Sequence, residues 1–247
     1  VRIEALKISK ADTMEKAKEN AAKVTIEVTG EANLVRVETK YPKRTGGFFG
    51  GESIKVSVDY KVWVPEKASV EINSVSGDVM VAPLGGQAKV NCVSGDVELR
   101  GAAGADINLT SGDLTVTEIA GDAFIKSVSG DIEATRIKGS VEVEAVSGDI
   151  EILEVAGAQK VGAKSVSGDI TFAGAILAGG RYEIKAHSGD VRVTIPAGSS
   201  FDLEANTFNG DIDTDFEIKV VGKISPREIL PTTLISKSVS MSPLKVL

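Results

Sequence analysis

The chain lacks most residue types from which reactive sites are assembled. Its 247 residues include one cysteine and one histidine, so one chain cannot form a disulfide, a zinc site of several Cys or His, or a multi-histidine centre. No stretch approaches the ~18 consecutive apolar residues that a membrane span requires. A net charge of −7, from 28 basic and 35 acidic residues, argues against a nucleic-acid partner, which selects a basic surface.

The first ten residues do not look like a secretion signal. Val1–Lys10 carries charges where a signal peptide would be apolar, and the sequence does not begin with Met. We therefore expect the chain to be a processed form or a piece of a longer protein, with any signal or anchor outside it.

A tandem repeat dominates the rest of the sequence, which contains 26 glycines and only 4% aromatic residues. Ser-Gly-Asp occurs seven times, and an eighth copy reads Asn-Gly-Asp. Successive repeat glycines lie 18, 17, 18, 18, 20, 21 and 21 residues apart. The glycine and aspartate of the eight copies are Gly77, Asp78, Gly95, Asp96, Gly112, Asp113, Gly130, Asp131, Gly148, Asp149, Gly168, Asp169, Gly189, Asp190, Gly210 and Asp211.

Aligning the copies on this glycine shows which side chains face inward. The second position after it is aliphatic in all eight copies: Val79, Val97, Leu114, Ile132, Ile150, Ile170, Val191 and Ile212. The fourth position after it and the fifth and seventh before it are also apolar in nearly every copy, with mostly polar residues between them. This period of two predicts a half-buried strand on each side of the glycine. Leu84, Ile119, Ile137 and Val155, seven after the glycine, suggest a third short apolar face.

Such units stack at the spacing of neighbouring strands, about 4.8 Å, and bury their apolar faces against one another. The sequence therefore predicts an all-β, single-chain β-solenoid (β-helix) of about eight coils of 17–21 residues. We expect an α+β N-terminal capping segment over residues 1–68, the solenoid over 69–222 and an irregular C-terminal tail over 223–247.

The capping segment carries a helix signal between strand-like stretches. Asp12 to Glu15 reads as a capping box, and apolar residues at helical spacing predict a helix near 12–23. Residues 24–29, 34–39 and 53–64 alternate like strands.

These features together resemble a known class of bacterial protein. The sequence Glu-Lys-Ala-Lys-Glu at 15–19 and Val-Asp-Tyr-Lys-Val-Trp-Val-Pro at 58–65 precede the tandem Val-Ser-Gly-Asp-Val/Ile units. Over roughly residues 1–222 the chain is similar to adhesin-like bacterial families of unknown function. The resemblance implies a β-strand-repeat protein in or near the cell envelope, or outside the cell, and it supplies no catalytic or binding residues.

The Ser-Gly-Asp turns are the first candidate site. A row of carboxylates and hydroxyls could bind Ca²⁺, but calcium-binding β-rolls use Gly-Gly-x-Gly-x-Asp spacing, which these turns lack. We favour turn chemistry, in which glycine adopts positive φ while Ser and Asp side chains bond nearby backbone N–H groups. No metal or other cofactor is expected.

Three further features have a functional and a structural interpretation. His187, beside Ser188 and Asp190, suggests a catalytic triad, but it replaces a valine of other copies and we favour a tolerated substitution. Cys92 is expected to be a small packed residue. Phe48 and Phe49, between glycine pairs, could insert into a partner or membrane, although a hairpin connection is favoured.

The sequence favours a non-catalytic structural or interaction module. We expect its partner to be a protein or another envelope component, or a second copy contacted through the solenoid ends. The alternative is a Ca-dependent binder or a carbohydrate-active enzyme on a β-helix scaffold. An enzyme of that kind would need long loops with paired acids, whereas these turns are minimal.

Overall fold

The structure, a computed structural model, describes residues 1–42, 55–197, 199, 201–205 and 235–239. The chain divides into two compact units, Val1–Pro65 and Glu66–Leu247. That the first unit caps the solenoid stays a prediction.

The first unit contains two antiparallel strand pairs. Strand β1 pairs with β4, and β2 pairs with β3. Their bounds are β1 Arg2–Lys10, β2 Thr25–Glu31, β3 Leu34–Lys40 and β4 Lys55–Trp63. Strand β1 was not predicted from the sequence.

Helix α1 spans Met14–Lys23 and lies within the predicted range. Its N-cap is Thr13, whose Oγ1 accepts the backbone N–H of Lys16 at 3.2 Å. The predicted capping box placed the cap at Asp12, one residue too early. Thr13 has the extended backbone and hydroxyl acceptor that an N-cap requires.

The second unit is a β-solenoid, as predicted. Each coil contributes one strand to each of two seven-stranded parallel sheets. The first sheet contains β5 Val70–Ser74, β7 Gln87–Ser94, β9 Gly104–Ser111, β11 Ala123–Ser129, β13 Val141–Ser147, β15 Lys160–Ser167 and β17 Arg181–Ser188. The second contains β6 Val79–Val81, β8 Val97–Ala102, β10 Leu114–Ile119, β12 Ile132–Thr135, β14 Ile150–Val155, β16 Ile170–Gly174 and β18 Val191–Thr194.

Identical positions of successive coils lie in register, which builds aliphatic ladders through the core. Ile132 pairs with Leu114 on one side and Ile150 on the other, and all three side chains are fully buried. Burial of such side chains contributes about 1.5–3 kcal/mol each relative to exposure. The interior therefore holds together only through contacts between coils.

The described solenoid has seven coils, where the sequence predicted about eight. The first strand assigned to the eighth coil, β19 (Phe201–Ala205), pairs antiparallel with β20 (Ile235–Val239) and joins neither large sheet. Strand β20 falls within the range predicted to be an irregular tail. The predicted turn at Gly210 and Asp211 lies outside the described residues.

The seventh coil is less buried than its sequence pattern predicts. Val191 and Val193 occupy inward positions, yet they are 45% and 46% exposed. Strand β18 is the last strand of its sheet among the described residues, so no eighth strand packs against these valines there.

Candidate functional site

The Ser-Gly-Asp turns join the two sheets at one edge of every described coil. At the turn between β11 and β12, the Gly130 N–H donates to the Ser147 carbonyl at 3.2 Å. The Ile132 N–H donates to the Asp149 carbonyl at 2.9 Å. Backbone bonding thus continues from coil to coil on both sides of the turn.

The aspartate side chains complete this bonding. The Asp131 N–H donates to Asp113 Oδ1 at 3.0 Å, and the Asp149 N–H donates to Asp131 Oδ1 at 2.8 Å. The same bond joins four further pairs, Asp96 to Asp78, Asp113 to Asp96, Asp169 to Asp149 and Asp190 to Asp169. We call this row the aspartate ladder. Its carboxylates bond the next coil.

The carboxylates of the aspartate ladder already take part in hydrogen bonds between coils, and this disfavours the alternative in which the ladder binds Ca²⁺. A Ca²⁺ ion binds carboxylate oxygens, and one oxygen of each bonded carboxylate in the ladder, Oδ1, already accepts a backbone N–H. Within the part of the chain that the structure describes, no group of three or more His, Cys, Asp or Glu side chains is arranged to hold a metal ion.

The two residues with reactive side chains lie apart from this ladder. His187 is exposed near the end of β17. Cys92 is 2% exposed, with its Sγ 3.9 Å from the carbonyl oxygens of Gly77 and Gly95. Phe48 and Phe49 lie outside the described residues.

A groove of about 1090 Å³ runs across the first sheet, lined by three residues from each of seven coils. The valine row is Val75, Val93, Thr110, Val128, Val146, Val166 and His187. The polar row is Asn73, Asn91, Asn108, Lys126, Glu144, Lys164 and Lys185. The floor between them is Ser74, Cys92, Leu109, Ser127, Ala145, Ser165 and Ala186.

The groove follows from strand alternation. In β13, the floor residue Ala145 is buried, so its neighbours Glu144 and Val146 both point outward. Val146 is 49% exposed although it is apolar. The sequence showed valine at this position of other copies but did not lead us to predict that the row lines an exposed groove. The signal in the sequence was a position that is apolar in most copies, although it lies two residues after an outward-facing polar position of the same strand.

The polar row changes character along the solenoid. Over the first three coils it is a chain of neutral amides, in which Asn91 Nδ2 donates to Asn73 Oδ1 at 2.8 Å and Asn108 Nδ2 donates to Asn91 Oδ1 at 3.0 Å. The amide oxygens of Asn73 and Asn91 thus each accept one N–H from the next coil.

Over the next three coils the polar row is ionic. The Glu144 carboxylate lies 3.0 Å from Lys126 Nζ and 3.3 Å from Lys164 Nζ. Hydrogen bonds from Lys126 and Lys164 lower the pKa of Glu144. The bond to Glu144 raises the pKa of Lys126. The charges alternate and stabilise each other.

The alternation ends at the last step. Lys164 and Lys185 are direct register partners on β15 and β17, which places like charges opposite each other. Lys185 instead binds Glu183, two residues earlier on its own strand, and this bond lowers the pKa of the Glu183 carboxyl. Along the polar row, the seventh coil therefore places a lysine where continued alternation of charge would place an acidic residue.

Comparison with known proteins identifies the class. The Toastrack DUF4097 family, a domain of unknown function, matches residues 1–227. The chain belongs to this family. No curated protein and no solved structure matched it. Among the described residues, no helix has the length and apolarity needed to cross a membrane.

Proposed function

We propose that this chain is a non-catalytic structural and interaction module of the bacterial cell envelope. The observation that carries the proposal is the groove, in which three outer positions of every coil form one continuous surface. The turn aspartates accept backbone N–H groups of the next coil. Such an arrangement suits a rigid scaffold with an elongated binding face.

The placement of His187 favours this proposal over an enzyme. His187, Ser188 and Asp190 follow one another along an exposed strand end and turn, and the Asp190 N–H donates to Asp169 Oδ1 at 2.8 Å. A catalytic triad is defined by side chains that converge on one reacting atom. The envelope assignment is supported by the resemblance to adhesin-like families.

The proposal is tested by retention of envelope components on the purified, immobilised chain. We expect a component from an envelope fraction to bind saturably, and the purified component to reproduce the binding. A matched chain carrying Glu133→Lys, on the outward face of β12 and outside the groove, should behave alike. Turnover of a glycan substrate that is lost on His187→Ala would instead establish an enzyme.

A further inference from the structure

We propose that the groove binds a long-chain carboxylate, with its acyl chain lying on the valine row and its carboxylate between Lys164 and Lys185. The inference rests on the proposed function and names the ligand class of the same surface. The volume of the groove, about 1090 Å³, is slightly above the ~300–1,000 Å³ typical of small-molecule pockets.

The dimensions of the groove select a thin, long occupant. The valine and polar rows are two residues apart on each strand, so their backbones are separated by at most about 7 Å. The six steps between seven coils, at about 4.8 Å each, make the groove ~29 Å long. An α-helix with side chains is about 10–12 Å wide and would not enter between the rows.

The chemistry of the lining also favours an acyl chain. The groove crosses strands whose backbone groups are paired between coils, so it presents side chains and no free strand edge. An extended peptide would find no strand edge to pair with, so its N–H and C=O groups facing Val128 and Val146 would gain no hydrogen bond from the groove. A methylene chain has no such groups, and the repeating valines impose no register on it.

The charged residues of the groove indicate where the carboxylate of the ligand binds. Among the groove residues, the three lysines Lys126, Lys164 and Lys185 meet one acid, Glu144, so the groove is cationic in a chain of net charge −7. Glu183 binds Lys185 from outside the groove. Glu144 lies between Lys126 and Lys164, whereas Lys164 and Lys185 oppose each other directly. A carboxylate between the last two would restore the alternating pattern and gain charge-assisted hydrogen bonds.

Binding of palmitate to the full chain tests the inference by calorimetry at concentrations below palmitate self-association. We expect one site per chain. Lys185→Gln should raise the Kd about tenfold through loss of an ionic hydrogen bond. Val146→Gln should raise it by a similar factor by placing an amide against the acyl chain.

Two matched controls use exposed residues of the same sheet outside the groove. Lys89→Gln removes a lysine and Phe124→Gln removes an exposed apolar side chain, and both should bind palmitate like the wild type. Because the replaced groove side chains are exposed, circular dichroism should show all four variants folded.

Four outcomes would overturn the inference. The first three are absence of palmitate binding, equal binding by all variants, and equal binding of hexadecylamine, which has the same number of carbons and a cationic head. Binding only to phosphatidylglycerol vesicles would identify a membrane surface as the ligand and also overturn it. None of these results affects the envelope-retention experiment, so the two proposals can fail separately.

Discussion

The Oδ1 atom of Asp131 accepts the backbone N–H of Asp149, 2.8 Å away in the next coil. This bond makes a turn residue part of the stacking interaction. On either side of it, the N–H groups of Gly130 and Ile132 donate to carbonyl oxygens of the next coil. Without the carboxylate, the Asp149 N–H would interrupt a continuous series of bonds between coils.

Replacing this acceptor should weaken the stack. Asp131→Ala should lower the free energy of unfolding by about 1 kcal/mol, since the partly exposed Asp149 N–H loses its protein partner. Asp131→Asn keeps an Oδ1 acceptor and should lose less than half as much. Urea unfolding measures both. Equal losses would show that the charge matters and the hydrogen bond does not.

Glycine in the turn has two separable roles. Gly77 has a φ of +106°, and a Cβ built there meets no atom within 4 Å. Gly130 has a φ of +115°, and its Cβ would collide with the Gly112 carbonyl. Gly77→Ala should therefore cost only the backbone strain, about 1–2 kcal/mol, whereas Gly130→Ala should cost clearly more. Similar melting temperatures for the two variants would contradict the close-approach argument.

The core of the two large sheets was predictable because their buried residues follow the same alternation in every coil. Ile132 and Ile150 are buried where the repeat places them. The partner of each aspartate was not predictable, because an N–H in its own turn and one in the next coil satisfy a carboxylate equally well. That choice depends on the vertical alignment of coils.

The groove could have been predicted in part. Val146 lies two residues after Glu144 on the same strand, so alternation alone predicts that both side chains face outward. The sequence could not supply the concavity between them or the ion pairs along the polar row. Those depend on how the strands of seven coils lie side by side.

The ion pairs of Glu144 should make stability depend on acidic pH. Its pKa lies below the ordinary value of 4.5 in the folded chain, so the folded state binds fewer protons there than the unfolded state. This contribution is present above pH 4.5 and is lost as the pH falls through the lowered pKa. Urea midpoints from pH 7 downward should fall less steeply in Glu144→Gln than in the wild type. Glu71→Gln, on β5, should follow the wild type, and a loss of slope in both variants would refute the assignment.

The floor of the groove contains a buried hydroxyl without a hydrogen bond. Ser165 Oγ has no partner among the described residues. Ser127, at the same position two coils earlier, donates its Oγ–H to the Ser129 carbonyl at 3.4 Å. Other coils place Ala145 and Ala186 at this position. Ser165→Ala should therefore raise the free energy of unfolding by about 1 kcal/mol. Ser127→Ala should not raise it, and a gain in both would point to small-residue packing instead.

Three non-glycine residues stack in the left-handed region at the far corner of the coils, with φ of 62° at Glu118, 56° at Arg136 and 53° at Glu154. Arg136 lies 3.3 Å from Glu118 and 3.8 Å from Glu154, but all three side chains are largely exposed, so these ion pairs contribute little. The left-handed conformation costs a residue with a Cβ about 1–2 kcal/mol. Glycine avoids that cost but loses about 0.5–1 kcal/mol more conformational entropy on folding.

Glu154→Gly should therefore raise the melting temperature, because relief of backbone strain exceeds the combined loss of chain entropy and a weak, solvent-screened ion pair. Glu154→Ala is the matched control, since it removes the same carboxylate and keeps the Cβ. We expect no stabilisation from the alanine. If thermal unfolding shows the glycine variant to be no more stable than the alanine variant, the left-handed corner carries no strain that glycine can relieve.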